Sequence, residues 1–181
     1  MHHVLKIHPD SRCAAALGLE VVVARPQPGS LDIRYIVTGD ISALRVPTVT
    51  ASTRVDGLWH HTCFEAFVRA QPCGAYYEFN FAPSLQWSAY RFGGYRSARS
   101  DAGLIRAPQL KGRAGSTSYE LKVLLDLAQT SDLPNDMAWQ FGVSAVIEDA
   151  SGDKSYWALA HPAAQPDFHH PDSFALELPA A

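Results

Sequence analysis

Most of the residues able to do chemistry fall into two clusters. The first runs from Trp59 to Arg91 and holds the carboxylates Glu65 and Glu78, the amide Asn80, the guanidinium of Arg91 and the indoles Trp59 and Trp87. Trp157 joins them if its strand lies in the same sheet. A carboxylate or amide offers paired hydrogen bonds, a guanidinium donates a planar fork, and an indole presents a flat apolar face. That set suits a polyhydroxylated ring, whose C–H face an aromatic can cover while polar groups bond neighbouring hydroxyls. The second cluster is WALAHPAAQPDFHHPDSF, residues 157 to 174, where His161, His169 and His170 stand with Asp167 and Asp172 among three prolines. Histidine beside carboxylate can ligate a metal or move a proton.

Spacing weighs these chemistries. The second cluster lacks the i, i+4 pattern of a helical metal site, and Pro162, Pro166 and Pro171 hold it extended. Adjacent histidines in an extended chain point opposite ways, so only one of His169 and His170 can join His161. The segment therefore reads first as a stiff crossover between strands and second as a wall of a ligand pocket. Glu65 and Glu78 would lie diagonally on adjacent strands, roughly 5–8 Å apart, near the separations glycosidases use. Arg91 and Arg69 beside Glu78 would keep it ionised, which is wrong for a general acid. Catalysis is therefore not the leading expectation. Haem ligation of the Met/His type would need Met137, since the other methionine is Met1; a bis-His site could draw on His60, His61, His161, His169 or His170. Cys13, Cys63 and Cys73 are odd in number and lack a CxxC, which reads as free thiols in a reducing compartment. No glycine-rich phosphate loop, GxSxG or HExxH pattern occurs.

The elements that must position these residues are strands. Short runs rich in Val, Ile, Tyr, Phe and Trp, punctuated by Gly, Pro, Asp and Ser, predict about ten of them: 19–25, 31–39, 62–69, 76–82, 87–92, 104–110, 118–127, 140–149, 155–161 and 173–178. One short helix is expected at 10–18, DSRCAAALG, on its alanines and the stop at Gly18. Pairing Phe64 with Phe81, Ala66 with Phe79 and Val68 with Tyr77 gives one wholly apolar face. Glu65, Phe67, Arg69, Tyr76, Glu78 and Asn80 then share the other face. Across the turn PSLQ, pairing Phe79 with Tyr90 and Tyr77 with Phe92 would extend the apolar face and bring Trp87 and Arg91 beside Glu78. Across DASGD, Val143, Ala145 and Ile147 would share a face with Tyr156, Ala158 and Ala160, leaving Val146 with Trp157. One apolar face per strand predicts an antiparallel β-sandwich.

Composition agrees. The 181 residues are 47% hydrophobic and 18% charged, with net charge −3, which fits one globular domain over residues 1–181 and gives no basic footprint for nucleic acid. No window approaches 18 continuous apolar residues, and MHHVLKIHPDSRC has no export-signal pattern. A cytoplasmic location with no membrane contact is the expectation.

LWHHTCFEAFVR, YYEFNFAPSLQWSAYRFGGYR, SAVIEDASGDKSYWALAH and PDFHHPDSFALEL together resemble the bacterial DOMON-like proteins, which are related to the family-nine carbohydrate-binding modules. The resemblance spans about residues 55 to 178. It implies a jelly-roll-like β-sandwich whose ligand is a sugar or a haem, with structural calcium in the sugar-binding members. The expected function is non-catalytic saccharide recognition by stacking and hydrogen bonding, through Trp59, Glu65, Glu78, Asn80, Trp87, Arg91, Trp157, His161 and His170. Haem or metal binding for redox or sensing, and a protein-interaction domain that could form a homodimer, are the alternatives.

Overall fold

Two strands carry a pattern that decides the architecture. Every residue of Cys63–Arg69 and of Tyr76–Phe81 is buried. A strand buried on both faces must lie in the middle of a sheet and be covered from both sides. The computed structural model describes residues 1–70, 74–104 and 106–181. Cys73 and part of the predicted strand 104–110 lie outside the described residues.

The described residues are all-β, with no α-helix. The strands are β1 (His2–Ile7), β2 (Ala16–Ala24), β3 (Ser30–Gly39), β4 (Cys63–Arg69), β5 (Tyr76–Phe81), β6 (Trp87–Phe92), β7 (Ser100–Asp101), β8 (Gln109–Ala114), β9 (Ser118–Asp126), β10 (Trp139–Glu148), β11 (Lys154–Ala158) and β12 (Leu176–Leu178). Three single 3-10 turns, Ile41–Ala43, Leu58–His60 and Pro171–Ser173, lie between them. The strands form one antiparallel sheet in the order β7-β6-β5-β4-β10-β11-β1-β2-β3-β9-β8, with β12 paired to β10. No helix is long and apolar enough to cross a membrane.

The sheet curls on itself. Leu19, Val21 and Val23 of β2, Ile33 and Val37 of β3 and Leu121 and Val123 of β9 alternate inward and meet Phe64, Ala66, Phe79 and Phe81 from the other half. Tyr35 of β3 packs against Phe64 at 5.0 Å and donates its hydroxyl to the Glu65 carbonyl at 2.8 Å. Tyr119 of β9 stacks on the same Phe64 at 6.0 Å. β1 joins the halves, pairing with β2 on one side and β11 on the other. Its sequence, HHVLKI, is short and half polar, and it was not among the predicted strands.

The β4/β5 register is the expected one, with Phe64 opposite Phe81 and Ala66 opposite Phe79. The next two hairpins depart from expectation by one residue. Phe79 faces Ala89 rather than Tyr90, and Ala145 faces Trp157. A one-residue slip exchanges faces. Trp87, Ala89 and Arg91 therefore lie on the side of Phe79, away from Glu78. Trp157 turns into the core, 5% exposed, while Tyr156 takes the outer side. The cause is turn length. The β5/β6 connection closes as the three residues 83–85, with Ala82 N–H on the Gln86 carbonyl at 2.9 Å and Leu85 at φ 72°. A left-handed residue at the end of a three-residue loop normally announces itself as glycine; here it is leucine.

The predicted helix at 10–18 is also overturned. Ala16 to Gly18 open β2, with an irregularity where Ala16 meets Gly39 and Gly18 meets Thr38. Pairing with β3 outweighs alanine's modest helix propensity.

Tyr35→Phe removes the hydroxyl that ties β3 to β4 through the core. It should lower unfolding free energy by about 1–2 kcal/mol in urea titration. An unchanged midpoint would show that this bond does not hold the halves together.

Candidate functional site

The outer face of the central strands is where the polar residues gather. Glu65 of β4 stands opposite Asn80 of β5, and Phe67 opposite Glu78. β10 adds Ser144 and Val146 on the other side, since Ser144 pairs with Glu65. This face is roofed by the segment from Leu159 to Ala175, which returns from β11 to β12. Between roof and sheet lies a cleft of about 540 Å³. Glu65, Glu78, Phe92, Val146 and Tyr156 form its floor. Trp59 and His60, Arg96 and Arg99, and Pro166 with Phe168 and His169 form its walls.

Burial sets the electrostatics. Glu65 is 4% and Glu78 6% exposed. Loss of water raises both carboxyls, and the charge of Glu78 raises Glu65 further, to about 8, against a hydrogen bond from Ser144 Oγ at 2.9 Å and the pull of Arg96. Glu78 is raised by burial but held back by Asn80, whose Nδ2 donates at 2.6 Å, and by Arg99 and Arg96. At neutral pH the pair therefore keeps a proton, mainly on Glu65. The floor presents one acid and one carboxylate, a donor beside acceptors.

His169 completes the set. The Tyr76 hydroxyl accepts the Arg96 backbone N–H at 3.2 Å and hydrogen-bonds His169 Nδ1 at 2.8 Å. With the hydroxyl as donor the ring proton lies on Nε2, which faces the acceptor Glu78 Oε2 at 3.6 Å. Burial first, and then Arg96, lower the imidazole to about 4, so the contact with Glu78 is not an ion pair at neutral pH. Phe67, Phe92 and Tyr76 hold the ring edge-on at 5.2, 5.1 and 5.8 Å. Asp167 secures the roof. It accepts from the Tyr95 hydroxyl, from Arg96 at 2.8 Å and from the His169 backbone at 3.1 Å. These bonds keep its carboxyl below the usual range although burial pushes it up. Arg96 and Ala98 both sit at φ 50°, a left-handed conformation that costs a non-glycine residue about 1–3 kcal/mol and tends to persist at functional loops.

The predicted site residues divide. Trp59, Glu65 and Glu78 line the cleft, and Asn80, fully buried, supports Glu78. Trp87 packs against the core from its other side, so it cannot reach a ligand here. Arg91 binds Asp132 at 2.6 Å on that opposite side, which overturns its pairing with Glu78. Trp157 is core, its indole N–H bonded to Ser155 Oγ at 2.9 Å. His161 lies against β1, its Nε2 on the Lys6 carbonyl at 2.8 Å and its ring edge-on to His8 at 4.9 Å. His170 caps the last 3-10 turn, accepting from Asp172 N–H at 3.2 Å. Arg96, Arg99, Tyr156, Phe168 and His169 were missed as members. The second cluster, residues 157–174, thus supplies a pocket wall through Phe168 and His169.

The cofactor expectations fare as follows. Among the described residues, no group of three or more His, Cys, Asp or Glu converges to hold a metal ion. Within 161–172, Asp167 is engaged by Tyr95 and Arg96, His169 by Tyr76, and His170 by the backbone of Asp172. Met137 lies at the surface, 37% exposed, and does not line the cleft, so a Met/His haem pair does not fit.

A scan against protein-family models finds no match, and neither does a search of curated proteins. Solved structures do match. A candidate carbohydrate-binding protein from Bacteroides uniformis aligns with a TM-score of 0.71 at 15% identity, over 94% of this chain and 82% of its own. A family 9 carbohydrate-binding module from Caldicellulosiruptor kristjanssonii, in complex with glucose, aligns at 0.56 and 12% identity over 97% of this chain and 82% of its own. Its cellotriose complex aligns at 0.57 and 12% over 99% and 81%. At these identities the likeness is one of fold.

The buried pair makes stability depend on pH. Glu65 is higher when folded than its ordinary 4.5, so its stabilising contribution is complete below about pH 4.5 and is lost as pH rises towards about 8. Glu65→Gln keeps the shape and removes the titration. The variant should gain at least ~1 kcal/mol over the wild type at pH 8 and little at pH 4, measured by urea unfolding. A difference that does not change with pH would contradict a protonated Glu65.

Proposed function

We propose that the chain is a saccharide-binding module, with residues 1–181 folded as one β-sandwich domain of the jelly-roll, DOMON-like kind. The observation that carries this reading is the roofed polar floor between aromatic walls, found on a fold shared with carbohydrate-binding proteins. Sugar recognition needs both parts. Aromatic surface covers the C–H face of the ring, and converging acceptors and donors bond its hydroxyls. Trp59 on one wall and Phe168 on the other supply the surface. Glu78, with Asn80 behind it, accepts from two hydroxyls; Glu65, carrying a proton, donates to a third oxygen; His169 Nε2–H donates beside it. These groups stand on strands that pack into the core, so little ordering is left for the moment of binding. The two sequence-based choices that face the other side, Arg91 and Trp87, have no part in it.

One observation favours a second reading, glycoside hydrolysis. A proton-bearing carboxyl next to an ionised one is the pairing that acid–base cleavage requires. Turnover of chromogenic glycosides that disappears in Glu65→Gln, with binding retained, would establish it. Binding without turnover leaves the module.

The test is isothermal titration calorimetry with a panel of mono- and disaccharides. One sugar class should bind saturably, and Trp59→Ala should weaken it by about tenfold or more, near 1.4 kcal/mol. Arg91→Ala should bind as the wild type does. No binding across the panel, or loss on Arg91→Ala with none on Trp59→Ala, would overturn the site.

A further inference from the structure

Among the described residues, two cations that line the cleft, Arg99 and Lys154, make no ion pair. On the wall beyond β6 stand Arg54, Arg96 and Arg99. Arg54 takes both nearby carboxylates, Asp56 at 3.1 Å and Asp101. Asp56 is also bonded by the Tyr90 hydroxyl. Arg96 has Asp167 at 2.8 Å. Arg99 makes no ion pair among the described residues, though its charge acts at longer range on Glu78 and on Asp56. Its guanidinium lies over the rings of Tyr90, at 5.0 Å, and Trp59, at 6.0 Å, and it lines the cleft. A cation on an aromatic platform keeps a defined position while its N–H fork stays available.

The opposite rim carries the second cation, without an aromatic platform among the described contacts. Lys154 of β11 stands directly across from Glu148. Both oxygens of Glu148 are already taken, one by Arg45 and the other by His61, each at 2.7 Å. Lys154 therefore also lines the cleft without an ion pair among the described residues. The floor between the rims contributes about one negative charge, because its two carboxyls share a proton. Arg99 and Lys154 contribute two positive charges, so the side chains that line the cleft are cationic while the whole chain is −3. The second carboxylate at Arg54, outside the lining, offsets part of the charge of Arg99.

We infer that the cleft selects an anionic saccharide, one bearing a carboxylate or a sulfate ester, and that Arg99 receives the charged group with Lys154 as a second cation across the cleft. This inference rests on the saccharide reading and narrows it. The neutral part of the ring lies over the glutamates, where an anionic substituent would be repelled by Glu78. The charged substituent points to a rim, where an arginine fork can bond two of its oxygens. β11 lies four strand spacings from β6, about 19 Å along the sheet at ~4.8 Å each. The two cations therefore address different parts of a ligand rather than one group.

The experiment compares three ligands of one parent disaccharide by calorimetry: the neutral form, the glucuronate form and a sulfated form. At low ionic strength at least one acidic form should bind about tenfold more tightly than the neutral one, and the advantage should shrink as salt is added. Arg99→Gln should bring the ratio close to one. Arg106→Gln, which removes an exposed arginine remote from the cleft, should keep it. The two acidic arms tell carboxylate from sulfate. Equal affinity for neutral and acidic forms overturns the inference and leaves the saccharide reading standing. Binding of none of the three overturns both. An acidic preference that survives Arg99→Gln overturns the role of Arg99.

Discussion

A carboxylate fixed in the middle of a sheet and then covered must find a proton or a cation. Two of them, Glu65 and Glu78, stand diagonally on the central strands, and most of the outer side of the molecule follows from keeping them there. Burying both as ions would be too costly, so the pair keeps a proton. Ser144 donates to one oxygen of Glu65 and Asn80 to one oxygen of Glu78. His169, kept neutral by burial and by Arg96 and hydrogen-bonded to the Tyr76 hydroxyl, sits against Glu78 without adding charge. Arg96 supplies a cation at a distance and is itself tied to Asp167. A buried polar network of this kind is worth little as stabilisation and much as geometry, because its hydrogen bonds hold each carboxyl in place.

The same constraint explains the roof. The segment after β11 could have crossed the sheet anywhere between two strands that both pair with β10. It crosses over the glutamates, places His169 in an aromatic box of Phe67, Tyr76 and Phe92, and ends in a 3-10 turn capped by His170. Against the expectation from its prolines, it is not extended throughout: it bends at 163–165 and turns at 168–169, Pro171 opens the 3-10 turn, and Asp167 fastens it to the loop after β6. Two residues of that loop, Arg96 and Ala98, are held in the left-handed region. Strain on the loop and order in the roof thus act together to hold an opening above a polar floor.

Some of this was legible in the chain. The Phe64, Ala66 and Val68 alternation against Phe81, Phe79 and Tyr77 allowed only one register without charge in the core, and that register alone put Glu65, Glu78 and Asn80 on one face. The neighbouring hairpins were misread for one shared reason. Both close through loops with an odd number of residues, three at 83–85 and five at 149–153. The first carries leucine where a glycine would have signalled the turn. The slip moved Arg91, Trp87 and Trp157 off the site and brought Phe92 and Tyr156 onto it. His169 and His170 were equivalent in sequence, and only the roof's path chose between them. Arg96 and Arg99 lie in a loop whose backbone no local pattern announced.

The sequence by itself determined that the chain is built of strands, which faces of the central pair are apolar and polar, and that a proline-stiffened, histidine-bearing segment crosses between late strands. These are consequences of alternation and of φ restriction, which act between near neighbours. Tertiary structure alone decided that the polar face is roofed rather than solvated, that the glutamates share a proton, and which cations lack a partner. Those outcomes depend on desolvation and on charges brought together from Arg45, Arg96, Glu148 and Asp167. Their meeting is set by how the sheet curls and where β1 closes it, not by their order along the chain.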